Sequence, residues 1–336
     1  MPELAIIICA YAPMEEVFSR TLAAVRALTI PEGVEIECVI VDNNNDPPLE
    51  SRAYVREFLG AVNWARVICE SRQGLSHARM SGIGATRAPA VIFFDDDNEP
   101  AVDYLVQAAR CLADYRDVYA WGPGRIDVAF DPQVPHRLRD GFLALFQHRD
   151  CEEVRYGCVP GRWEDYYPYG TGLVVRREVL DRYAQRVLRK ELGAIGRTGK
   201  KLGSAEDLQI VWEAVLLHKA AGISPTLKMT HIVPAHRATP AYAARLLYGT
   251  GASYLPALVE SFPDARSRLS RMRLSGAHVA IRLLKIALRS VATGRLPMLR
   301  VELARFMGPS VGLIDATSAP GELAWVRRLA LRLGLE

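Results

Sequence analysis

Five short apolar runs before residue 122, each separated from the next by a helical pattern, restrict what this chain can fold into. Residues 4–10, 36–41, 66–69, 90–94 and 118–121 are rich in Ile, Val and Phe and read as buried strands. Helix-like segments lie between them at 14–28 (behind Pro13), 49–59, 77–85 and 102–115. Strand and helix in alternation build βαβ units, which imply a mainly parallel central sheet with flanking helices. Ligands of such sheets sit at the carboxyl ends of the strands, so chemistry is expected on that edge. Residues 122–168 are rich in Gly, Pro and aromatics and read as irregular, with a helix near 138–146. The pattern then resumes with a strand at 170–175, a helix from Glu178, a Gly/Lys loop at 193–203, a helix at 207–220 and a strand at 227–230.

Composition bounds the class. Of the 336 residues half are apolar and 24% charged, which is ordinary for a globular protein. No apolar run approaches the roughly 20 residues of a spanning helix. Glu3 stands where a signal peptide would be basic, so a cytoplasmic protein is expected. The six cysteines form no CxxC pair, and Cys9, Cys38 and Cys69 fall in predicted buried strands, where they behave as small hydrophobes. The net charge of +4 hides an asymmetry. From Arg266 onward thirteen Lys/Arg face four acids, a net +9, which leaves the body acidic.

Two of the strands run into unusual acidic segments. Asp42-Asn43-Asn44-Asn45-Asp46-Pro47-Pro48 comes after the second and Asp95-Asp96-Asp97-Asn98-Glu99-Pro100 after the fourth, so both clusters fall on one sheet edge. Three adjacent carboxylates repel one another unless a cation or water screens them. In extended backbone Asp95 and Asp97 point to the same side, and such a pair suits Mg²⁺ or Mn²⁺. A solvated acidic turn is the alternative, and the wholly apolar run before the cluster favours function. Asp42 and its asparagines by themselves read as a turn. In Arg72-Gln73-Gly74-Leu75-Ser76-His77-Ala78-Arg79 a glycine loop opens a helix, which offers N–H groups to phosphate, with Arg72 and Arg79 as charge partners. Surface arginines at a helix start would look the same. Glu206-Asp207 open a helix behind Ser204, an N-cap candidate, and His231 ends a strand.

Taken in order, these segments resemble glycosyltransferase family 2, enzymes of the GT-A fold. The resemblance rests on VIVDNNND (39–46), RQGLSHAR (72–79), IFFDDDNEP (92–100), GTGLVVRREVL (170–180), SAEDLQIVWEA (204–214) and THIVPAHRATPAYAARLLYGTGAS (230–253). It runs from Leu4 to about Ser253, roughly three quarters of the chain. It implies an inverting transferase that moves a sugar from a nucleotide-diphospho-sugar donor to a glycan or lipid-linked acceptor in cell-surface polysaccharide or glycoconjugate synthesis. By position, Asp42 should contact the base or ribose, and Arg79 should sit near the diphosphate. Asp95 and Asp97 should hold Mn²⁺ or Mg²⁺, with His231 completing the shell and Asp96 beside the donor. Asp207 should be the general base, supported by Glu206, and Gly170, Thr171 and Gly172 should line the donor-sugar and acceptor cleft. Met80 stands where the family pattern has Asn, and Asn43 where many members carry a second Asp. The chain has no Q-x-x-R-W segment, which favours transfer of a single sugar.

Two other classes remain in view. A nucleotidyltransferase acting on sugar phosphates would share the sheet and the carboxylates but needs a glycine-rich loop after its first strand, where this chain has Cys9-Ala10-Tyr11-Ala12-Pro13. A non-catalytic sugar-nucleotide-binding module has no need of Asp97 and Asp207. The expected division is a catalytic domain at 1–255 and a helical basic extension at 256–336. Within that extension His278, Arg282, Lys285 and Arg289 recur at i, i+4, i+7 and i+11 in an otherwise apolar helix, 277–292. Such a helix either packs on the core with a solvated stripe or lies on an anionic membrane surface on the cytoplasmic side. Nucleic acid is not expected as a partner, because few aromatics are interleaved with the arginines.

Overall fold

The computed structural model describes residues 3–193, 196–197, 202–272, 274–317 and 320–336. Part of the Gly/Lys loop singled out at 193–203 therefore lies outside the described residues. The chain opens as expected: β1 (Leu4–Ala10), α1 (Glu15–Arg26), β2 (Ile36–Asp42), α2 (Ala53–Ala61), β3 (Ala65–Cys69), α3 (Leu75–Ala85) and β4 (Ala90–Asp95). Next come β5 (Asn98–Pro100), α4 (Tyr104–Asp114), β6 (Val118–Phe130), α5 (His136–Phe142), β7 (Arg149–Asp150), β8 (Arg155–Gly157) and β9 (Leu173–Arg176). The remainder is α6 (Arg177–Leu188), α7 (Glu206–Leu216), β10 (Ala220–Val233) and the helices α8 (Pro240–Ser261), α9 (Ala265–Leu269), α10 (Gly276–Ala292), α11 (Leu299–Ala316) and α12 (Pro320–Arg332).

One mixed sheet in the order β3-β2-β1-β4-β9-β6-β10-β5 runs through the molecule. The first four strands are parallel, as βαβ connections require. β9 joins β4 and β6 antiparallel to both, and β6 and β10 again pair in parallel. Residues of β1 alternate between the two faces, Ala5 and Ile7 into one core and Ile6 and Ile8 into the other. Helices α3, α6 and α7 cover the first face, and α1, α2 and α4 the second.

Two strands are much longer than the sequence suggests. β6 continues through Gly122-Pro123-Gly124 to Phe130, where the strand was expected to end at 121, and β10 spans 14 residues, where a strand was expected only at 227–230. Proline removes a ladder donor, so it reads as a strand end. Here the β6–β10 register shifts between Ser224 and Lys228, and this bulge absorbs Pro225. Gly124 lies against it, and a Cβ there would fall 2.7 Å from Pro225 N. The helix expected at 207–220 stops at Leu216, because His218 turns the chain at φ 59 into β10. Cys69 is exposed, not buried, since β3 is the outermost strand of the parallel set.

The C-terminal helices build a third core of their own. Val279 and Leu283 of α10, Val301 and Met307 of α11, and Val326 and Ala330 of α12 pack with Ala243 and Leu246 of α8. α8 runs unbroken across 255/256, and it meets α11 so closely that a Cβ on Gly308 would lie 2.6 Å from the Tyr248 carbonyl oxygen. Among the described residues no helix is long and apolar enough to cross a membrane.

Candidate active site

Both acidic clusters lie at the carboxyl edge of the parallel strands. Ala10 at the end of β1 pairs with Asp42 on one side, and Cys9 pairs with Asp95 on the other. The two clusters then take different roles. The buried Asp42 carboxylate turns into its own loop: one oxygen accepts from Asn45 N (2.9 Å) and Asn45 Nδ2 (2.6 Å), the other from Leu49 N (2.7 Å). Asn43 ties this loop to the next one. Its Nδ2 donates to Arg72 O at 2.7 Å, and its Oδ1 accepts from Gly74 N at 2.8 Å. Arg72, read as a phosphate partner, pairs instead with Glu70 at 2.9 Å and holds that carboxyl down at about 2.

The Asp95–Asp97 turn is locked by Asn98, whose Oδ1 accepts from Asp95 N at 2.9 Å and whose Nδ2 donates to Asp97 at 3.0 Å. The short β5 pairs with β10 so that Asn98 lies opposite His231. That register brings the His231 Nε2 to 3.6 Å from Asp97, while its Nδ1 is fixed at 2.9 Å from the Phe146 carbonyl. Arg237, six residues on, donates to the same Asp97 oxygen. Burial works against the Asp97 charge, yet His231 and Arg237 outweigh it and hold the carboxyl well below the usual range. Desolvation pushes Asp96 the other way, up to about 7, and the Asp97 charge adds to it. Among the described residues no three His, Cys, Asp or Glu side chains form a group that could hold a metal ion.

Arg79 connects this turn to the acids of α7. It is 3% exposed, its Nη1 is 3.2 Å from Glu206, its Nη2 is 3.7 Å from Asp95, and the guanidinium lies 5.5 Å from the centre of the Phe93 ring. Burial pushes the Glu206 carboxyl up to about 7, with Arg79 pulling against it and Asp207 adding to it. Asp207 is half-buried and accepts from Gly170 N at 3.1 Å. A Cβ at Gly170 would stand 3.0 Å from both the Asp207 carboxylate and Arg79 Nη2, so only glycine fits without displacing one of them. Thr171 Oγ1 reaches Asp95 at 3.4 Å, and Gly172 turns the chain into β9 at φ 68, a backbone region that favours glycine. The helix cap is Ala205, without a side-chain hydrogen bond, and not Ser204.

Two cavities open on these groups. The smaller, about 240 Å³, is lined by Asp95, Asp96 and Asp97, by Asn43, and by Gln73, Gly74 and Leu75 at the start of α3. The larger, about 480 Å³, has Asp207, His231, Phe146, Trp163 and residues of α8 and α11 in its walls. Arg197, Arg237 and Tyr242 line both. Thus Asp95, Glu206, Asp207 and Gly170 gather around Arg79, and Asp97 joins His231 and Arg237, whereas Arg79, Asp42, Glu206, Gly170, Thr171 and Gly172 line neither cavity. Sequence reasoning passed over Arg197, Arg237 and Phe146. The run after His231 carried a signal for Arg237; Phe146 stood at the end of the helix expected near 138–146, with nothing local to mark it as part of a site.

Residues 5–183, more than half of the chain, match the family described as Glycosyl transferase family 2. The chain belongs to glycosyl transferase family 2. It is therefore a glycosyltransferase that takes its sugar from a nucleotide-sugar donor. Among solved structures, this family 2 glycosyltransferase is similar to "Mannosyltransferase PcManGT from Pyrobaculum calidifontis in complex with GDP-Man and Mn2+", with a TM-score of 0.52 and 17% identity, over 96% of this chain and 87% of that one. At this identity the likeness establishes the shared GT-A fold. No curated protein sequence matches the chain.

Removing one partner of a buried ion pair strands the other charge, at a cost of about 3–5 kcal/mol. Arg79→Met should therefore lower the stability of this glycosyltransferase by about that amount in denaturant unfolding. Glu206→Gln placed on top of it should recover part of the loss. An Arg79→Met variant as stable as wild type would show that the pair does not hold the site together.

Proposed function

We propose that the chain transfers a single sugar, with inversion, from a nucleoside-diphosphate sugar in the smaller cavity to an acceptor hydroxyl in the larger one. The observation that carries this reading is the pairing of the cavities. One is walled by the carboxylates of the Asp95–Asp97 turn, the other by Asp207, and Arg197, Arg237 and Tyr242 line both. GDP-Man with Mn²⁺ in the similar mannosyltransferase supports the donor class. Asp207 takes the proton of the acceptor hydroxyl, a step for which a poor nucleophile needs a positioned carboxylate. Gly170 N holds that carboxylate, and Arg79, paired with Glu206, places a positive charge near it. Arg197 and Arg237 face the negative charge that grows on the departing diphosphate. Asp42 acts indirectly, by ordering the loop that presents Asn43 to the donor.

The donor set suits a hard divalent cation. Mg²⁺ and Mn²⁺ at phosphates need only one or two protein carboxylates, the remaining ligands being substrate oxygens and water, so no three-residue cluster is required. Asp95 and Asp97 would hold it. His231, its Nδ1 fixed by a backbone carbonyl, turns Nε2 towards Asp97 and would ligate only as the neutral imidazole. When bound, the cation neutralises charge on the diphosphate. Asp207→Asn keeps the shape of the side chain and removes the base, so release of nucleoside diphosphate in the presence of acceptor should fall roughly 10²-fold or more while donor affinity changes little. Turnover within a few-fold of wild type would place the base elsewhere.

The acceptor side carries a second proposal, docking on an anionic membrane surface. α10 packs through Val279, Leu283 and Ser290, yet Ile281, Leu284, Leu288 and Val291 on the far side are more than half exposed. His278, Arg282, Lys285 and Arg289 run beside that apolar stripe, all exposed. An exposed apolar stripe flanked by cations matches an anionic lipid interface. Each such cation contributes about 1 kcal/mol near the surface, screened over about 10 Å at 0.1 M salt. The protein should co-sediment with anionic and not with neutral vesicles. Leu284→Glu with Leu288→Glu should release it even at low salt. Equal binding to neutral vesicles, or no effect of the double variant, would contradict the proposal.

A further inference from the structure

Asp97, assigned above to the cation, has partners on both of its oxygens in this structure. Its Oδ1 accepts from Asn98 Nδ2 at 3.0 Å. Its Oδ2 accepts from Arg237 Nη1 and lies 3.6 Å from His231 Nε2. The residue is 5% exposed, so a cation approaching Oδ2 must come close to the Arg237 guanidinium. Little water is there to screen two positive charges on one oxygen, and their repulsion is strong. The cation and Arg237 are therefore alternatives at Asp97.

The two cationic partners of Asp97 differ in freedom. His231 belongs to β10, and its Nδ1 is held at 2.9 Å by the carbonyl of Phe146, itself buried and stacked on Tyr242. That imidazole stays in place. Arg237 stands in the turn between β10 and α8, where its backbone N donates to Pro234 O at 2.9 Å. Its side chain is long, partly exposed and lines both cavities. Arg237 is thus the partner that can leave, and a diphosphate in the smaller cavity offers its guanidinium another anion.

We propose that Arg237 is an exchange partner that keeps Asp97 paired until cation and diphosphate arrive together: the cation takes its place on Asp97, and the guanidinium turns to the diphosphate. This rests on the reading above for where the two ligands are held, and it adds a positioning residue that couples them. Each ligand alone is disfavoured. The cation must displace Arg237 with no anion to receive it, and the diphosphate finds its arginine engaged by Asp97. Linkage makes this reciprocal, since whatever one ligand does to the affinity of the other is returned. When the nucleoside diphosphate departs, Arg237 returns to Asp97 and opposes retention of the cation.

Binding of each ligand alone to the full chain tests the proposal without turnover. Mn²⁺ binding is followed by electron paramagnetic resonance in the absence of phosphates. Arg237→Gln should bind Mn²⁺ roughly tenfold more tightly than wild type, a usual size for coupling between two ligands. Arg197→Gln removes the same charge from the same cavity wall but leaves Asp97 paired, so its gain should be clearly smaller. The reverse experiment uses inorganic pyrophosphate in the presence of EDTA. Asp97→Asn keeps the shape of the side chain and frees Arg237, so pyrophosphate should bind roughly tenfold more tightly. Asp96→Asn, which also removes a carboxylate from that wall, should gain clearly less. Thermal melts confirm which variants fold, and because the two experiments rest on different residues, either one decides alone. A folded Arg237→Gln or Asp97→Asn that gains no more than its control overturns the proposal. Mn²⁺ bound by none of the forms would overturn the cation site as well, whereas the Asp207 test of proton transfer is independent of both results.

Discussion

Arg79 carries its charge to a place almost closed to water, between Glu206 on α7 and Asp95 at the end of β4. Desolvating an ion costs several kcal/mol unless partners replace the lost water, so this side chain can be buried only where all three elements meet. The arrangement sets the spacing between the acidic turn and the helix of Asp207. Gly170 completes it, because any larger residue would push against both Arg79 and Asp207. The nucleotide-sugar side and the acceptor side are therefore parts of one electrostatic unit, which explains why residues from four separate stretches of the sequence converge on a single guanidinium.

The parallel half of the molecule was readable because its strands are buried on both faces and written as unbroken apolar runs. The edge that carries Asp42 and Asp95 followed from that reading, and the strand register bears it out. The second half was harder for a specific reason. Gly122, Pro123, Gly124 and Pro225 are breakers in isolation, and the packing of Gly124 against Ser224 and Pro225 at a bulge lets β6 and β10 continue. Once those strands were cut short, nothing told that the helix expected near 138–146 would bring Phe146 against His231 of β10.

Side-chain direction was the other gap. Asp42 and Asn43 both stand at the strand end, but hydrogen bonding within the loop takes up the carboxylate of one and leaves the other facing the cavity. Arg237 lies in a segment that sequence reading noticed for its histidine, yet nothing local says that its guanidinium reaches back to Asp97. Periodicity showed that α10 is basic along one stripe. It could not show which apolar stripe packs and which remains exposed, since that is decided by α8 and α11, whose close contact depends on glycines far apart in the chain.

The central claim is that the Asp95–Asp97 turn is the place where the donor diphosphate and its cation are held, within reach of the Arg79 network. A crystal structure with a nucleoside diphosphate and Mn²⁺ tests it most directly, because manganese is located independently by its anomalous scattering. The account predicts a manganese peak between Asp95 and Asp97, with the diphosphate in the smaller cavity beside Arg197 and Arg237. A diphosphate bound elsewhere, or one bound in that cavity with no manganese at the two aspartates, would contradict it.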